Sequence, residues 1–267
     1  MESYSIGRVF SRMVELVKDN LAPVGVFLIV TQVVVVVVSY VLGGQLMAQI
    51  GSSLSSTDPF ERLAMFRSPA YWALVFVPLL ITAFSMSGAM HGLLRTSSGH
   101  AASLGECTQA ALNKFLPMLG LIVLWYIAIT IGFLLIIVPG IILITMWCVA
   151  QPALVGENVG VFGSFGRSRT LTKGSRLLIL VTLLIVSIAI YAVAAIVMAI
   201  FVGGAIFGGD PAATLSLTGN PLYLLVSLIT GTAMNFFISA ILVSIYRELR
   251  LVHGEGDGAN HLVDVFR

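Results

Sequence analysis

The chain has 267 residues, of which 58% are hydrophobic and only 10% are charged. Soluble domains carry about 25% charged residues, and a compact soluble core of this size could not enclose so much apolar surface. The composition excludes an ordinary soluble domain and indicates a membrane protein, because a bilayer accepts apolar side chains directly. The net charge of +2, from 14 basic and 12 acidic residues, argues against a nucleic-acid partner.

Six uncharged stretches are long enough to cross a hydrocarbon core about 30 Å thick, which needs roughly 20 residues of helix. The first is longer than a signal-peptide core and lacks a small-residue cleavage site, so we expect it to remain as an anchor. The pattern predicts an all-α integral membrane helical bundle over residues 1–250 and a flexible cytoplasmic tail over 251–267. The predicted spans are Pro23–Gly43, Ala70–Leu94, Phe115–Val138, Gly140–Val155, Leu177–Phe207 and Pro221–Tyr246.

The turn between the third and fourth spans has no charged residue to mark it. Pro139 disfavours helix in the residue before it, and Gly140 permits unusual backbone angles. Val138-Pro139-Gly140 therefore predicts a tight hairpin between two antiparallel helices. A re-entrant loop is the alternative.

Basic residues are distributed unevenly between the two sides that six spans create. With both termini in the cytoplasm, the four cytoplasmic segments hold three, two, four and three Lys or Arg residues, twelve in all. The opposite side holds only Arg62 and Arg67. Because basic residues concentrate in cytoplasmic loops, this distribution predicts that both termini are cytoplasmic, and it supports the hairpin.

A pattern of serine, an apolar residue and glycine begins at Ser5, Ser103 and Ser164, each time ahead of two predicted spans. From Ile6 onward, apolar and charged residues occupy opposite faces of a helix, which predicts an amphipathic interfacial helix. Ser103 and Glu106 have the spacing of a capping box. We therefore predict three repeated units, each an interfacial helix followed by a helical hairpin. For the first helix, ordinary packing against the protein is the alternative.

The segments on the opposite side contain two further signals. Asp58-Pro59 and Asp210-Pro211 predict helix starts, with aspartate as the cap and proline at the first helical position. Gly51 to Thr57 is rich in serine and predicts a polar connector.

The richest polar cluster lies at the predicted cytoplasmic face, around the loop between the fourth and fifth spans. Its basic residues are candidates for binding an anionic lipid headgroup or a phosphate-bearing ligand. The alternative is that they only fix the topology while the glutamate pairs with an arginine. The candidate residues are Glu157, Arg167, Arg169, Lys173 and Arg176.

Few polar residues fall within the spans, which argues against ion-coupled transport. No arrangement of nucleophile, base and acid, no glycine-rich phosphate loop and no zinc signature is recognisable, so we predict no catalytic residue, metal or cofactor. Cys107 and Cys148 are expected to be small apolar fillers without a disulfide.

Residues 104–180 carry short motifs that can be compared with known membrane proteins. The motifs are Val138-Pro139-Gly140-Ile141-Ile142, Trp147, Ala150, Pro152, Glu157, Arg167-Ser168 and Leu171-Thr172-Lys173-Gly174. In these motifs the chain resembles the bacterial glycerophosphoryl diester phosphodiesterase membrane-domain family and related uncharacterised multi-pass proteins. The resemblance implies a bacterial inner (cytoplasmic) membrane. Some members carry a fused phosphodiesterase barrel, but no segment outside these spans is long enough for one, so that activity is not carried over.

Two functions fit these observations. The first is a non-enzymatic membrane protein that organises, assembles or regulates envelope components through a membrane-protein partner or self-association. The second is a transporter or lipid-handling protein that binds an anionic lipid or phosphate-bearing ligand at its cytoplasmic face, which the long fifth span and the basic cluster favour. Membrane lipids are the expected partners in both.

Overall fold

The computed structural model of the protein describes residues 3–55, 58, 60, 64–207 and 220–255. These residues form α-helices joined by short connections, with one 3₁₀ turn at Ala64–Arg67. The helices are α1 (Ile6–Asn20), α2 (Pro23–Ser55), α3 (Pro69–Ser97), α4 (Leu104–Leu135), α5 (Ile137–Met146), α6 (Ala150–Glu157), α7 (Gly160–Leu171), α8 (Arg176–Phe207) and α9 (Pro221–Val252).

Six segments of these helices are long and apolar enough to cross a membrane, which confirms the predicted all-α, multi-pass membrane protein. Three of the helices concerned begin with proline, at Pro23, Pro69 and Pro221. Proline suits this position because the first backbone N–H of a helix has no partner within the helix. The spans are Pro23–Gly43, Pro69–Ser97, Leu104–Leu135, Ile137–Glu157, Arg176–Val197 and Pro221–Val252.

The hairpin between the third and fourth spans is present, but its turn lies earlier than predicted. Ile136 alone is extended, with φ −163° and ψ 151°, and separates α4 from α5. Pro139 is the third residue of α5, where its missing N–H breaks no helical bond. A Cβ on Gly132 would lie 3.1 Å from the Cα of Gly140, so these two glycines let the helix backbones approach closely.

The fourth span is interrupted, although the sequence predicted one helix over Gly140–Val155. Its first helix, α5, ends at Met146, and α6 begins at Ala150. The physical cause is Pro152, which has no N–H to donate and whose ring would collide with the carbonyl of Cys148 in a continuous helix. The break frees the backbone carbonyl of Met146.

Two buried hydroxyl groups stabilise this break. Ser168 Oγ donates to the Met146 carbonyl at 2.9 Å, and Thr172 Oγ1 donates to the same oxygen at 3.3 Å. Both side chains are completely buried. Irregular backbone within a membrane span is tolerated where protein groups satisfy it, and these hydroxyls do so for Met146.

The chain divides into two compact units. Unit 1 comprises Met1–Leu28, Ala83–Ser187 and Asn235–Arg267, and unit 2 comprises Ile29–Thr82 and Ile188–Met234. Helices α2, α3, α8 and α9 each contribute residues to both units.

Unit 1 contains a buried apolar core to which α1 contributes. Val9 is completely buried and Leu16 nearly so, so the apolar face of α1 packs against the protein. This arrangement favours the packing alternative for the first helix. The core comprises Tyr4, Val9, Cys148, Val149, Ala153, Leu171, Ile179, Ile241, Ile245, Tyr246 and Leu249.

The three copies of the serine pattern adopt different structures. Ser5 caps α1 by accepting a hydrogen bond from the Arg8 N–H, and Ser103 and Glu106 form the predicted capping box at the start of α4. The second copy has no separate interfacial helix, because α4 runs without a break into the span. Ser164 lies inside α7, where its hydroxyl donates to the Gly160 carbonyl at 2.5 Å.

Unit 2 has a cluster of aromatic residues near the start of α3. The Trp72 indole N–H donates to the Phe66 carbonyl at 2.9 Å, and the Trp72 ring stacks on Phe76 at 5.7 Å. Tyr71 packs edge-on against Phe66. Tryptophan and tyrosine are enriched where spans meet the headgroups, so this cluster fits the end of a span.

The predictions for the connecting segments have mixed outcomes. Helix α2 continues to Ser55, so Gly51 to Ser55 are helical and the predicted polar connector is wrong there. Asp58 Oδ1 accepts the Phe60 N–H at 2.9 Å, as expected of a cap at a helix start. The predicted start at Asp210-Pro211 and most of the tail lie outside the described residues.

Candidate functional site

The polar cluster is built around the turn between α6 and α7 in unit 1. Helix α6 ends at Glu157, Asn158 follows with φ 56°, and Gly160 begins α7 with φ +70°. Glycine adopts positive φ without the steric cost that a side chain adds, so the chain can turn sharply at this point. The turn sets Glu157 at the end of α6, within reach of Arg167 on α7.

Arg167 lies between two carboxylates. Its Nε donates to Glu157 at 2.7 and 2.9 Å, and its terminal nitrogens donate to Glu255, one of them at 3.1 Å. The Tyr246 hydroxyl donates to Glu157 Oε1 at 2.7 Å. We call Glu157, Arg167, Tyr246 and Glu255 the paired cluster. Helices α6 and α7 meet the C-terminal part of α9 and the residues that follow it there, so the cluster is a tertiary contact as well as a charge arrangement.

The charges of the paired cluster stabilise one another. Hydrogen bonding to Glu255, and secondarily to Glu157, raises the pKa of Arg167 above its ordinary value against the opposing effect of burial. The hydrogen bond from Arg167 lowers the pKa of Glu255 below its ordinary value. Both shifts favour the charged forms, so the pair persists at neutral pH.

A second ion-pair site lies at Glu248, two residues after Tyr246 on α9, and holds the N-terminal segment. Glu248 is completely buried and accepts the Arg8 Nε at 2.9 Å, the Ser5 backbone N–H at 3.1 Å and the Arg12 Nη1 at 3.5 Å. We call Glu248, Arg8 and Arg12 the anchor site. A buried carboxylate requires such partners, because a charge taken out of water without them is very costly.

Several other polar residues of unit 1 also have partners. Arg95 pairs with Glu106 at 2.8 Å, and Lys114 donates to the Asn158 side chain. Arg247 donates to the backbone carbonyl of Ser97. The contacts of Lys114 and Arg247 join segments that are 44 and 150 residues apart in the sequence.

Three basic residues differ from those just described, because their side chains have no partner among the described residues. Arg169 lies in the last turn of α7, Lys173 lies in the turn that follows and Arg176 begins α8. Arg169 and Lys173 are exposed, and no side chain of the three has an ion pair or hydrogen bond to any residue that the structure describes. The Nε of Arg176 is itself buried and has no hydrogen-bond partner in the described part of the chain. We call Arg169, Lys173 and Arg176 the basic trio.

Exposed apolar side chains occur on α7 and α8, the helices that hold Arg169 and Arg176. Phe162 on α7 is 80% exposed and Leu177 on α8 is 74% exposed. Basic groups next to exposed aromatic and aliphatic groups are typical of a surface at the boundary between headgroups and hydrocarbon. The basic trio therefore has the surroundings that a membrane interface requires.

The five predicted site residues thus separate into two groups. Glu157 and Arg167 meet in the paired cluster, as the pairing alternative expected, whereas the basic trio has no acidic partner among the described residues. Sequence reasoning missed Tyr246, Glu248 and Glu255. The clustering of charged residues near the end of the sixth span was a signal for them, but it did not say which would be buried.

No group of three or more potential metal ligands occurs in the part of the chain that the structure describes. Cys107 and Cys148 are both free and buried, as predicted. A Cβ on Gly92 would lie 2.9 Å from the Cys107 sulfur, so this thiol fills space between α3 and α4.

Comparison with known proteins gives no relative: no family model, no curated protein and no solved structure matches this chain. The resemblance to the phosphodiesterase membrane-domain family stays a prediction from its motifs.

Proposed function

We propose that this protein is a non-enzymatic, lipid-handling membrane protein that binds the phosphate of an anionic lipid through the basic trio. The observation that carries the proposal is that Arg169, Lys173 and Arg176 have no acidic partner among the described residues, while Arg167 in the same segment has two. An arginine with two carboxylate partners has little attraction left for a third anion. No carboxylate in the described part of the chain offsets the positive charge of the basic trio.

The buried Nε of Arg176 indicates a phosphate oxygen as the ligand. A buried donor without an acceptor is costly, and a phosphate oxygen would satisfy the Arg176 Nε. Guanidinium and phosphate form strong, often bidentate, charge-assisted hydrogen bonds. Arg169 and Lys173 would add attraction, at about 1 kcal/mol for each basic residue near an anionic membrane surface.

The proposed orientation places the basic trio, the anchor site and both termini in the cytoplasm of a bacterial cell. Its support is the distribution of basic residues, twelve against two, and the negative charge of the cytoplasmic leaflet. A reporter fused to either end and assayed on both sides of the membrane tests this orientation.

The experiment for the proposed site measures lipid selectivity in nanodiscs that contain phosphatidylglycerol and phosphatidylcholine. Native mass spectrometry of the released protein gives the ratio of the two lipids bound. We expect the variant R169Q/K173Q/R176Q to lose selectivity for phosphatidylglycerol, by about fivefold for each residue and on the order of a hundredfold in total.

Two controls make this experiment specific. R167Q also removes one positive charge from α7, but it should leave the selectivity unchanged because Arg167 is already neutralised. R169K/R176K retains the charges and should retain most of the selectivity. Equal phosphatidylglycerol binding by the wild type and the triple variant would refute the proposed site.

An organising role is the second candidate, and a different observation favours it. Residues 134–138, at the tip of the α4–α5 hairpin, are 60 to 86% exposed and entirely apolar. The end of a span normally carries polar or aromatic residues, so an apolar tip is suited to contact with another membrane protein or a second copy. Cysteine-specific crosslinking of I137C in native membranes tests this, since both natural cysteines are buried. Recovery of monomer alone would count against it.

A further inference from the structure

A groove between α2 and α9 in unit 2 has no part in the proposed function. It encloses about 220 Å³ and is open on one side. Its lining combines three aliphatic side chains with five that carry a hydroxyl or an amide. The lining residues are Gln32, Val35, Val36, Ser39, Tyr40, Tyr223, Leu224 and Ser227.

The two helices are antiparallel along this groove. Tyr40 and Tyr223 line one end, and at the other end Gln32 lies over Gly231, where an added Cβ would be 2.5 Å from the Gln32 Nε2. Eight residues separate the two ends on each helix, which corresponds to about 12 Å. Because Tyr40 is near the end of the span Pro23–Gly43 and Gln32 near its middle, the groove runs from the headgroup level toward the centre of the bilayer.

Gln32 is the residue that indicates a ligand. It is only partly buried, and its amide makes no hydrogen bond to any residue that the structure describes. An amide in hydrocarbon without a partner costs several kcal/mol, and a polar group of a bound lipid would satisfy it. The absence of a side chain at Gly231 gives Gln32 the space to lie against α9 at the deep end of the groove.

Size and charge restrict what that group can be. The groove is smaller than the pockets of about 300 Å³ or more that enclose small molecules, so it holds only part of a molecule and the rest lies in the bilayer. No lining residue is charged, which excludes selection for an ionic group. A neutral hydrogen-bonding group attached to a long apolar chain meets both conditions.

We propose that the groove binds the glycerol-ester region of a membrane lipid, with an ester carbonyl or a glycerol hydroxyl on the amide of Gln32. The amide donates to a carbonyl or accepts from a hydroxyl. Ser227 donates to the Leu224 carbonyl at 2.8 Å and can still accept a hydrogen bond, and Ser39 is exposed along the path. The headgroup lies toward Tyr40 at the shallow end of the groove, and the acyl chains leave its deep end for the bilayer.

Photolabelling tests this site directly. The full-length protein is placed in phosphatidylcholine nanodiscs that contain a phosphatidylcholine with a diazirine beside the glycerol ester, and labelled peptides are quantified after irradiation. We expect labels to concentrate on residues 32–40 and 223–231. Q32L should lower labelling of these peptides about fivefold, the effect of one lost hydrogen bond.

A matched variant tests whether lipid labelling depends on the groove itself or only on a glutamine at this depth in the span. Val34 is 47% exposed on the same helix, so Q32L/V34Q keeps one glutamine at nearly the same depth on a different face. It should not restore labelling. S227W, which fills the groove and leaves Gln32 in place, should abolish labelling while the protein remains folded.

Labels spread evenly over the exposed faces of α2 and α9, and unchanged in Q32L and S227W, would overturn the proposal, because the lipid would then be annular only. Restoration of labelling by Q32L/V34Q would overturn it as well. R169Q/K173Q/R176Q should label as the wild type does, so failure of the lipid-phosphate site and failure of the groove are distinguishable.

Discussion

Arg167 and Arg176 are nine residues apart in one loop region, yet the fold gives them opposite surroundings. Arg167 donates to Glu157 and Glu255, whereas the Nε of Arg176 is buried and no described residue accepts from it. An arginine held by carboxylates stabilises the tertiary structure, and one without such partners is available to an external anion. The difference shows that charge type and sequence position alone do not separate a structural cation from a binding one.

The largest expected effect is a loss of stability at the anchor site, where arginines pair with a buried carboxylate as Arg167 pairs with Glu157 and Glu255. R8Q/R12Q leaves the buried Glu248 without a cationic partner, which should lower the free energy of unfolding by about 3 kcal/mol. Thermal unfolding of the detergent-solubilised protein measures this. The triple variant R8Q/R12Q/E248Q removes the orphaned charge and should recover part of the loss. An unaltered midpoint for R8Q/R12Q would contradict the anchoring role.

A smaller effect is expected in the paired cluster. R167Q removes the partner of Glu157 and Glu255, both partly exposed, so we expect a loss of about 1 to 2 kcal/mol in the same unfolding assay. Its lipid selectivity should match that of the wild type. A loss of selectivity without a loss of stability would reverse the roles assigned to Arg167 and the basic trio.

The paired cluster should also respond to acid. Because the folded-state pKa of Glu255 is lowered by Arg167, the contact contributes stability above the ordinary carboxyl value of 4.5 and loses it as the pH falls through the lower folded value. Hydrogen exchange of the last turn of α9 should be constant from neutral pH to about 5, after correction for the intrinsic rate, and rise in more acidic buffer. E255Q should abolish this acid-dependent rise. A rise that survives E255Q would assign the effect to another group.

The smallest effect on stability belongs to the basic trio. R169Q and K173Q remove exposed side chains that have no partner among the described residues, so each should change the unfolding free energy by less than about 0.5 kcal/mol. The same substitutions should lower the selectivity for phosphatidylglycerol. A destabilisation as large as that of R167Q would mean that the trio is structural.

Features that depend on local sequence were predictable. The number of spans followed from the length of the uncharged stretches, and the caps at Ser5 and at Ser103 with Glu106 followed from spacings of three residues. The interruption of the fourth span was also encoded locally, because Pro152 cannot continue a helix through Cys148, although the prediction did not use it. Such features depend on interactions within one or two helical turns.

The sequence by itself determined that this is an all-α membrane protein with six spans, since hydrophobicity and length decide which segments can cross hydrocarbon. Only the tertiary structure decided that Glu248 is buried against α1, that Arg167 pairs with a carboxylate 88 residues away, and that Gln32 faces Gly231. Those contacts join segments distant in the chain, and the free energy of a charge or an amide depends on the neighbours that folding brings to it. These long-range contacts decide which arginines are paired and which are not.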